Sequence, residues 1–104
     1  MSRLLLSIAC LLLAVVSIPM ILGKVPPNSI YGFRTKRTLS SPDIWYPANT
    51  FSGWALLLAA VFSLGVLWAL PEAILARPWV PFVTLLVPLC VSVVASFLYL
   101  RRLS

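Results

Sequence analysis

Few side chains in this sequence are of a type that does acid–base, nucleophilic or metal chemistry, and their positions keep them apart. The two carboxylates are Asp43 and Glu72. They fall on opposite faces of the membrane that the apolar pattern below predicts, so they cannot pair as general acid and base. There is no His, and Cys10 and Cys90 each lie inside an apolar block. Neither a metal-ligand cluster nor a disulfide framework follows from them. They read as small packing residues in helices. No catalytic residue, cofactor site or metal site is expected, and the chain does not read as an enzyme.

What remains is one polar stretch, residues 23–50, with the sequence GKVPPNSIYGFRTKRTLSSPDIWYPANT. Arg34, Lys36 and Arg37 form a basic cluster that suits a membrane face bearing anionic phosphates. The guanidinium of Arg34 is a planar fork of donors that fits a carboxylate, a phosphate or several carbonyls. Asn28, Thr35, Thr38 and Asn49 are polar, neutral and interleaved with aromatics. Such a set fits a surface for a headgroup or a peptide, and these residue types alone do not choose between the two. The plainer reading is that the cations set topology and the aromatics lie among headgroups.

The elements that position this stretch follow from the apolar pattern. Apolar blocks cover about 4–22, 51–70 and 79–100. As helices each reaches about 28–33 Å, which matches a hydrocarbon core of about 30 Å. The fold class expected is an all-α membrane protein: three transmembrane helices and a motif-bearing loop, in one domain over residues 1–104. Composition agrees. The chain is 62% hydrophobic and 10% charged, against roughly 25% charged residues in soluble domains. Its net charge of +6 does not imply nucleic acid, because the cations sit in the connections and near the chain ends, outside the apolar blocks. The lipid bilayer is the expected partner. A cleaved signal peptide is the rival reading of the first block, but the block is long and Ser17-Ile18-Pro19-Met20 is a weak cleavage pattern.

With three spans, the 23–50 loop and the C-terminus share a side. That side holds Lys24, Arg34, Lys36, Arg37, Arg101 and Arg102, and the other holds Arg3 and Arg77. The positive-inside rule then puts the loop and C-terminus in the cytoplasm and the N-terminus outside. Trp45, Tyr46, Trp79 and Tyr99 fall near predicted boundaries, where aromatic rings anchor spans. No ionisable Asp, Glu, Lys or Arg lies inside a span, which argues against a proton-coupled transporter or a channel.

Small residues should set helix packing in lipid. Ala55, Ala59 and Ser63 make a stripe on the second span. Ser7, Cys10, Ala14 and Ser17 make one on the first, and Ser92, Ala95 and Ser96 one on the third. A homo-oligomer contact is the alternative use of these stripes. Pro88 should kink the third span by freeing the carbonyl of Thr84. Within the loop, Pro26-Pro27 stops the first helix and Gly32 allows a turn or a close backbone approach. Ser41-Pro42-Asp43 has the character of a helix start. Trp45 and Asn49 share a face if that helix runs through Pro47, which otherwise marks the joint with the second span.

The segment PPNSIYGFRTKRTLSSPDIWYPANTFSG closely resembles the signature of the SdpI family of small bacterial membrane proteins. The positions that carry the resemblance are Asn28, Gly32, Phe33, Arg34, Thr35, Thr38, Leu39, Trp45, Asn49 and Gly53. Two departures stand out: Lys36 where members often have Pro, and Thr50 where a basic residue is common. The chain corresponds to a minimal three-span member. The resemblance implies a bacterial inner-membrane protein acting in immunity against a secreted killing peptide or in signalling. Its implied partners are a peptide toxin or another membrane protein, and its implied ligand surface is Asn28, Gly32, Phe33, Arg34, Thr35, Thr38, Trp45, Asn49 and Gly53. An accessory subunit of a larger membrane complex is the alternative function.

Overall fold

The computed structural model describes residues 3–28 and 32–103. Helix α1 runs Arg3–Ile21, a short 3-10 turn covers Thr38–Ser40, and α2 runs Pro42–Ala69. A single helical turn, α3, covers Glu72–Leu75, and α4 runs Val80–Arg102. No strand occurs among the described residues. Helices α1, α2 and α4 are each long and apolar enough to cross a membrane. Large apolar side chains point outward from all three, among them Leu12, Leu58, Phe62 and Val91. Lipid is the solvent in which such a surface is stable.

The helix ends follow from local chemistry. Gly23, at φ +69°, closes α1. Lys24 N–H donates to the Pro19 carbonyl at 3.0 Å and Gly23 N–H to that of Met20 at 3.2 Å. This is the paired bonding of a left-handed helix cap, which needs a glycine. Ser41 opens α2, its hydroxyl accepting from the Asp43 N–H at 3.1 Å, with Pro42 and Asp43 in the first turn.

Helix α2 begins well before the expected 51. It passes through Pro47 as one 28-residue helix. Pro47 withdraws a donor only from the carbonyl of Asp43, in the exposed first turn, where water or headgroups replace it. Twenty-eight residues rise about 42 Å, more than the roughly 30 Å of hydrocarbon. Helix α2 is thus longer than that layer, and its first turns carry the motif residues Trp45 and Asn49.

Helices α1 and α4 both lie along α2 and make little contact with each other. Gly53 sets the α1–α2 distance: a Cβ there would stand 2.9 Å from the Ser17 carbonyl oxygen and 2.9 Å from Ile21 Cγ1. Ala59 and Ser63 are buried, and with Cys10 and Leu13 of α1 and Leu85 and Leu89 of α4 they line one small void. Ala55 is half-buried. Ser17 is buried and donates to the Ala14 carbonyl, and Ser96 donates to that of Ser92.

The end opposite the loop is fastened by Arg3. Its guanidinium donates to the carbonyls of Leu67 at 3.1 Å and Leu70 at 2.7 Å. A cation on the last carbonyls of α2 also complements the helix dipole. Trp68 lies under Arg3, 5.3 Å from the ring centroid, and its indole N–H donates to Ser7 Oγ at 2.9 Å.

Candidate functional site

The motif stretch folds onto the first turns of α2, and Asn49 fastens it. Phe33 N–H donates to Asn49 Oδ1 at 2.7 Å, and Asn49 Nδ2 donates back to the Phe33 carbonyl at 3.3 Å. The same Nδ2 also donates to the Trp45 carbonyl at 3.0 Å. One buried amide thus satisfies the backbone of the turn in both directions. Gly32 makes the approach feasible. Its φ is +106°, and a Cβ would stand 2.7 Å from Asn49 Oδ1 and 3.3 Å from Trp45 Cζ2. Both the conformation and the space exclude a side chain.

Thr35 and Thr38 lock the next turn. Thr35 N–H donates to Thr38 Oγ1 at 2.7 Å, and Thr38 N–H donates to Thr35 Oγ1 at 3.1 Å. The Thr38 hydroxyl donates to the Thr35 carbonyl at 3.0 Å. This reciprocity resembles a capping box with a second Thr in place of the usual Glu or Gln. It directs the chain into the 3-10 turn that precedes Ser41.

Trp45 is fully buried. Its indole N–H donates to the Val25 carbonyl at 2.7 Å, and its ring packs with Met20 and Val25, against Phe33 and Tyr46. Trp45 is therefore not a ring lying among headgroups, as its place near a span boundary suggested. A large amphipathic ring is buried here because its one donor finds an acceptor. Trp79, by contrast, is 58% exposed, as an interfacial anchor would be. Asn28 Nδ2 donates to the Pro26 carbonyl at 2.8 Å.

Among the residues singled out from the sequence, Thr38, Trp45, Asn49 and Gly53 are buried. They hold the turn and the helices and do not line an open surface. Arg34 differs. It is exposed and makes no hydrogen bond or ion pair among the described residues. It is one of the residues that line a cleft of ≈ 390 Å³ between α1, α2 and α4. Val16 and Met20 form one wall, Ser52 and Leu56 the floor, and Leu89, Val93 and Phe97 the other wall. The Gly32–Thr35 turn closes one end, and Phe33 meets Phe97 edge-to-face at 5.2 Å. The cleft is mostly apolar, with few convergent polar groups, as small-ligand sites commonly are.

The model of the SdpI/YfhL protein family matches residues 24–100. The chain belongs to the SdpI/YfhL family. No curated protein and no solved structure matches it. The family match covers the motif stretch, α2, α3 and nearly all of α4. Membership and the three apolar helices together make this a multi-pass membrane protein.

Several residues that build the site in this SdpI/YfhL chain were not evident from its sequence. Val25 supplies the acceptor for Trp45, and Met20 and Ser52 line the site. A signal for Val25 was present. A residue before Pro is held in extended backbone, so its carbonyl stays out of any helix and is free to accept. Nothing comparable marks Met20 or Ser52. Among the described residues no group of three or more His, Cys, Asp or Glu could hold a metal ion.

Proposed function

We propose that this SdpI/YfhL-family protein is a non-enzymatic recognition protein of the bacterial inner membrane, acting in immunity or signalling. In this reading the loop and C-terminus face the cytoplasm, and the ligand is a peptide or a lipid. One observation carries it. The motif spends its buried hydrogen bonds on fixing the Gly32–Thr35 turn, and the cation the turn presents, Arg34, has no partner among the described residues. A rigid mount for an exposed guanidinium at a cleft is an arrangement for binding something else. With Asp43 and Glu72 more than a membrane span apart in sequence, acid–base catalysis has no pair to work with.

The test is deletion of the gene followed by challenge with peptide toxins secreted by neighbouring bacteria. Sensitivity on deletion, restored by the wild type and not by an Arg34→Ala variant of normal membrane abundance, supports the reading. An unchanged deletion strain, together with a stoichiometric partner on purification in mild detergent, would favour an accessory subunit instead.

A further inference from the structure

We propose that the cleft between α1 and α4 takes one anionic lipid, one of its acyl chains lying over α2 and its acidic headgroup on Arg34. The cleft is lined by residues of three helices that are each long and apolar enough to cross a membrane, so the medium around it is the bilayer. Its walls and floor offer Val16, Leu56, Leu89 and Val93, side chains that match a hydrocarbon chain. The volume of ≈ 390 Å³ falls within the range of about 300–1,000 Å³ typical of small-ligand sites.

The polar groups are gathered so as to orient such a molecule. Arg34 lies at the end where Lys24, Lys36, Arg37, Arg101 and Arg102 also lie, with Asp43 the sole carboxylate of that end. This excess favours an acidic headgroup over a zwitterionic one. The half-buried hydroxyl of Ser52, on the floor, has no hydrogen-bond partner among the described residues.

A lipid fits better than a peptide strand. At membrane depth every backbone N–H and C=O needs a partner. The hydroxyl protons of the α4 wall are already committed, Ser92 to the Leu89 carbonyl at 2.7 Å and Ser96 to the Ser92 carbonyl at 2.8 Å, which leaves no donor there for a peptide carbonyl. An acyl chain makes no such demand.

The inference rests on the motif end being a recognition surface. It is separable from that reading, because lipid retention is measured on purified protein and protection in cells. The full chain, purified in detergent, is incubated with phosphatidylglycerol or with phosphatidylcholine of the same acyl chains, and bound lipid is counted by native mass spectrometry. One phosphatidylglycerol per chain should be retained. Phosphatidylcholine should bind about fivefold less, the equivalent of roughly 1 kcal/mol for one arginine at an anionic lipid. Arg34→Gln should erase the preference, and Lys36→Gln, outside the cleft, should keep it. Val93→Trp, at a cleft position that is 48% exposed, should expel both lipids while circular dichroism and melting stay as in the wild type. Equal retention of the two lipids overturns the proposal. So does an equal loss of preference in Lys36→Gln, which means diffuse surface charge, or a co-purified peptide in place of lipid.

Discussion

Asn49 and Phe33 exchange two hydrogen bonds across sixteen residues: the Phe33 N–H reaches Oδ1 at 2.7 Å, and Nδ2 reaches the Phe33 carbonyl at 3.3 Å. The side-chain amide acts as a strand neighbour would, and only an amide offers donor and acceptor in that arrangement. Asn49→Ala is expected to destabilise the protein by about 1–3 kcal/mol, the cost of leaving partly buried polar groups unpaired. Asn49→Asp should be no better. It retains the acceptor for Phe33 N–H but turns a carboxylate toward the carbonyls of Phe33 and Trp45. Thermal unfolding in detergent, followed by circular dichroism, measures both. A melting point unchanged in Asn49→Ala would show that the turn stands without this clamp.

Two glycines of α2 should respond to alanine with opposite signs. At Gly53 a Cβ meets the Ser17 carbonyl oxygen and Ile21 of α1 at 2.9 Å, whereas at Gly65 nothing lies within 4 Å. Gly53→Ala must push α1 away and should destabilise by about 1–3 kcal/mol, as overpacking does. Gly65→Ala removes only the conformational freedom of a mid-helix glycine and should stabilise by about 0.5–1 kcal/mol. Melting curves of the two variants side by side decide it, and a destabilising Gly65→Ala would indicate that this face meets a second chain.

Ala59 tests the three-helix seam. It is 8% exposed and lines a small void with Cys10 and Leu13 of α1 and Leu85 and Leu89 of α4, while its neighbour Leu58 is 64% exposed. Ala59→Leu is expected to cost about 1–3 kcal/mol, and Leu58→Ala, at a lipid-facing position, close to nothing. Equal effects in a detergent melting assay would count against the packing described.

Much of this arrangement was legible from residue types and spacing, and the reason is physical. Unbroken apolar stretches of about 20 residues have few alternatives to a membrane helix, and Ser41-Pro42-Asp43 opens a helix in any context. The expected spans of 4–22 and 79–100 lie close to the observed Arg3–Ile21 and Val80–Arg102. The start of α2 was less legible, because Pro47 both permits and interrupts a helix according to how near the N-terminus it lies. The motif was legible as a motif but not as a clamp. Trp45 and Asn49 look equally suited to a ligand surface and to a buried joint, and the choice depends on Val25 and Phe33 arriving from elsewhere in the chain. Arg34 is the converse case: that it bonds to none of the described residues is a tertiary fact that no local pattern encodes.

Charge asymmetry gives the orientation to test. Six basic residues lie at the loop end, and Arg3 and Arg77 lie at the other. Ser40 and Ala73 are exposed at opposite ends. In a chain with Cys10 and Cys90 replaced by Ala, an impermeant thiol reagent added outside the cell should label Ala73→Cys and miss Ser40→Cys. The reverse labelling would invert the topology and place the motif surface outside.

Arg34 separates a binding surface from a topological anchor. Asn49, Trp45 and Thr38 variants should act through stability, because those side chains are buried and bonded within the chain. Arg34 variants should leave melting and membrane abundance near the wild type, since the side chain is exposed and bonds to nothing described. If Arg34 served only as a positive charge, Arg34→Lys would keep function, and Lys36 and Arg37 beside it already supply generic charge. A guanidinium that holds an acidic group through two directed bonds is not replaced by an ammonium. Hydrogen bonds to charged groups contribute about 1.5–3 kcal/mol each, so losing one lowers affinity by about tenfold or more. Arg34→Lys should therefore fail nearly as completely as Arg34→Ala in a protection or reporter assay in the deletion strain, at membrane levels matched by immunoblot. Full activity of Arg34→Lys at normal abundance would reduce the loop to an electrostatic anchor and leave the cleft without its headgroup contact.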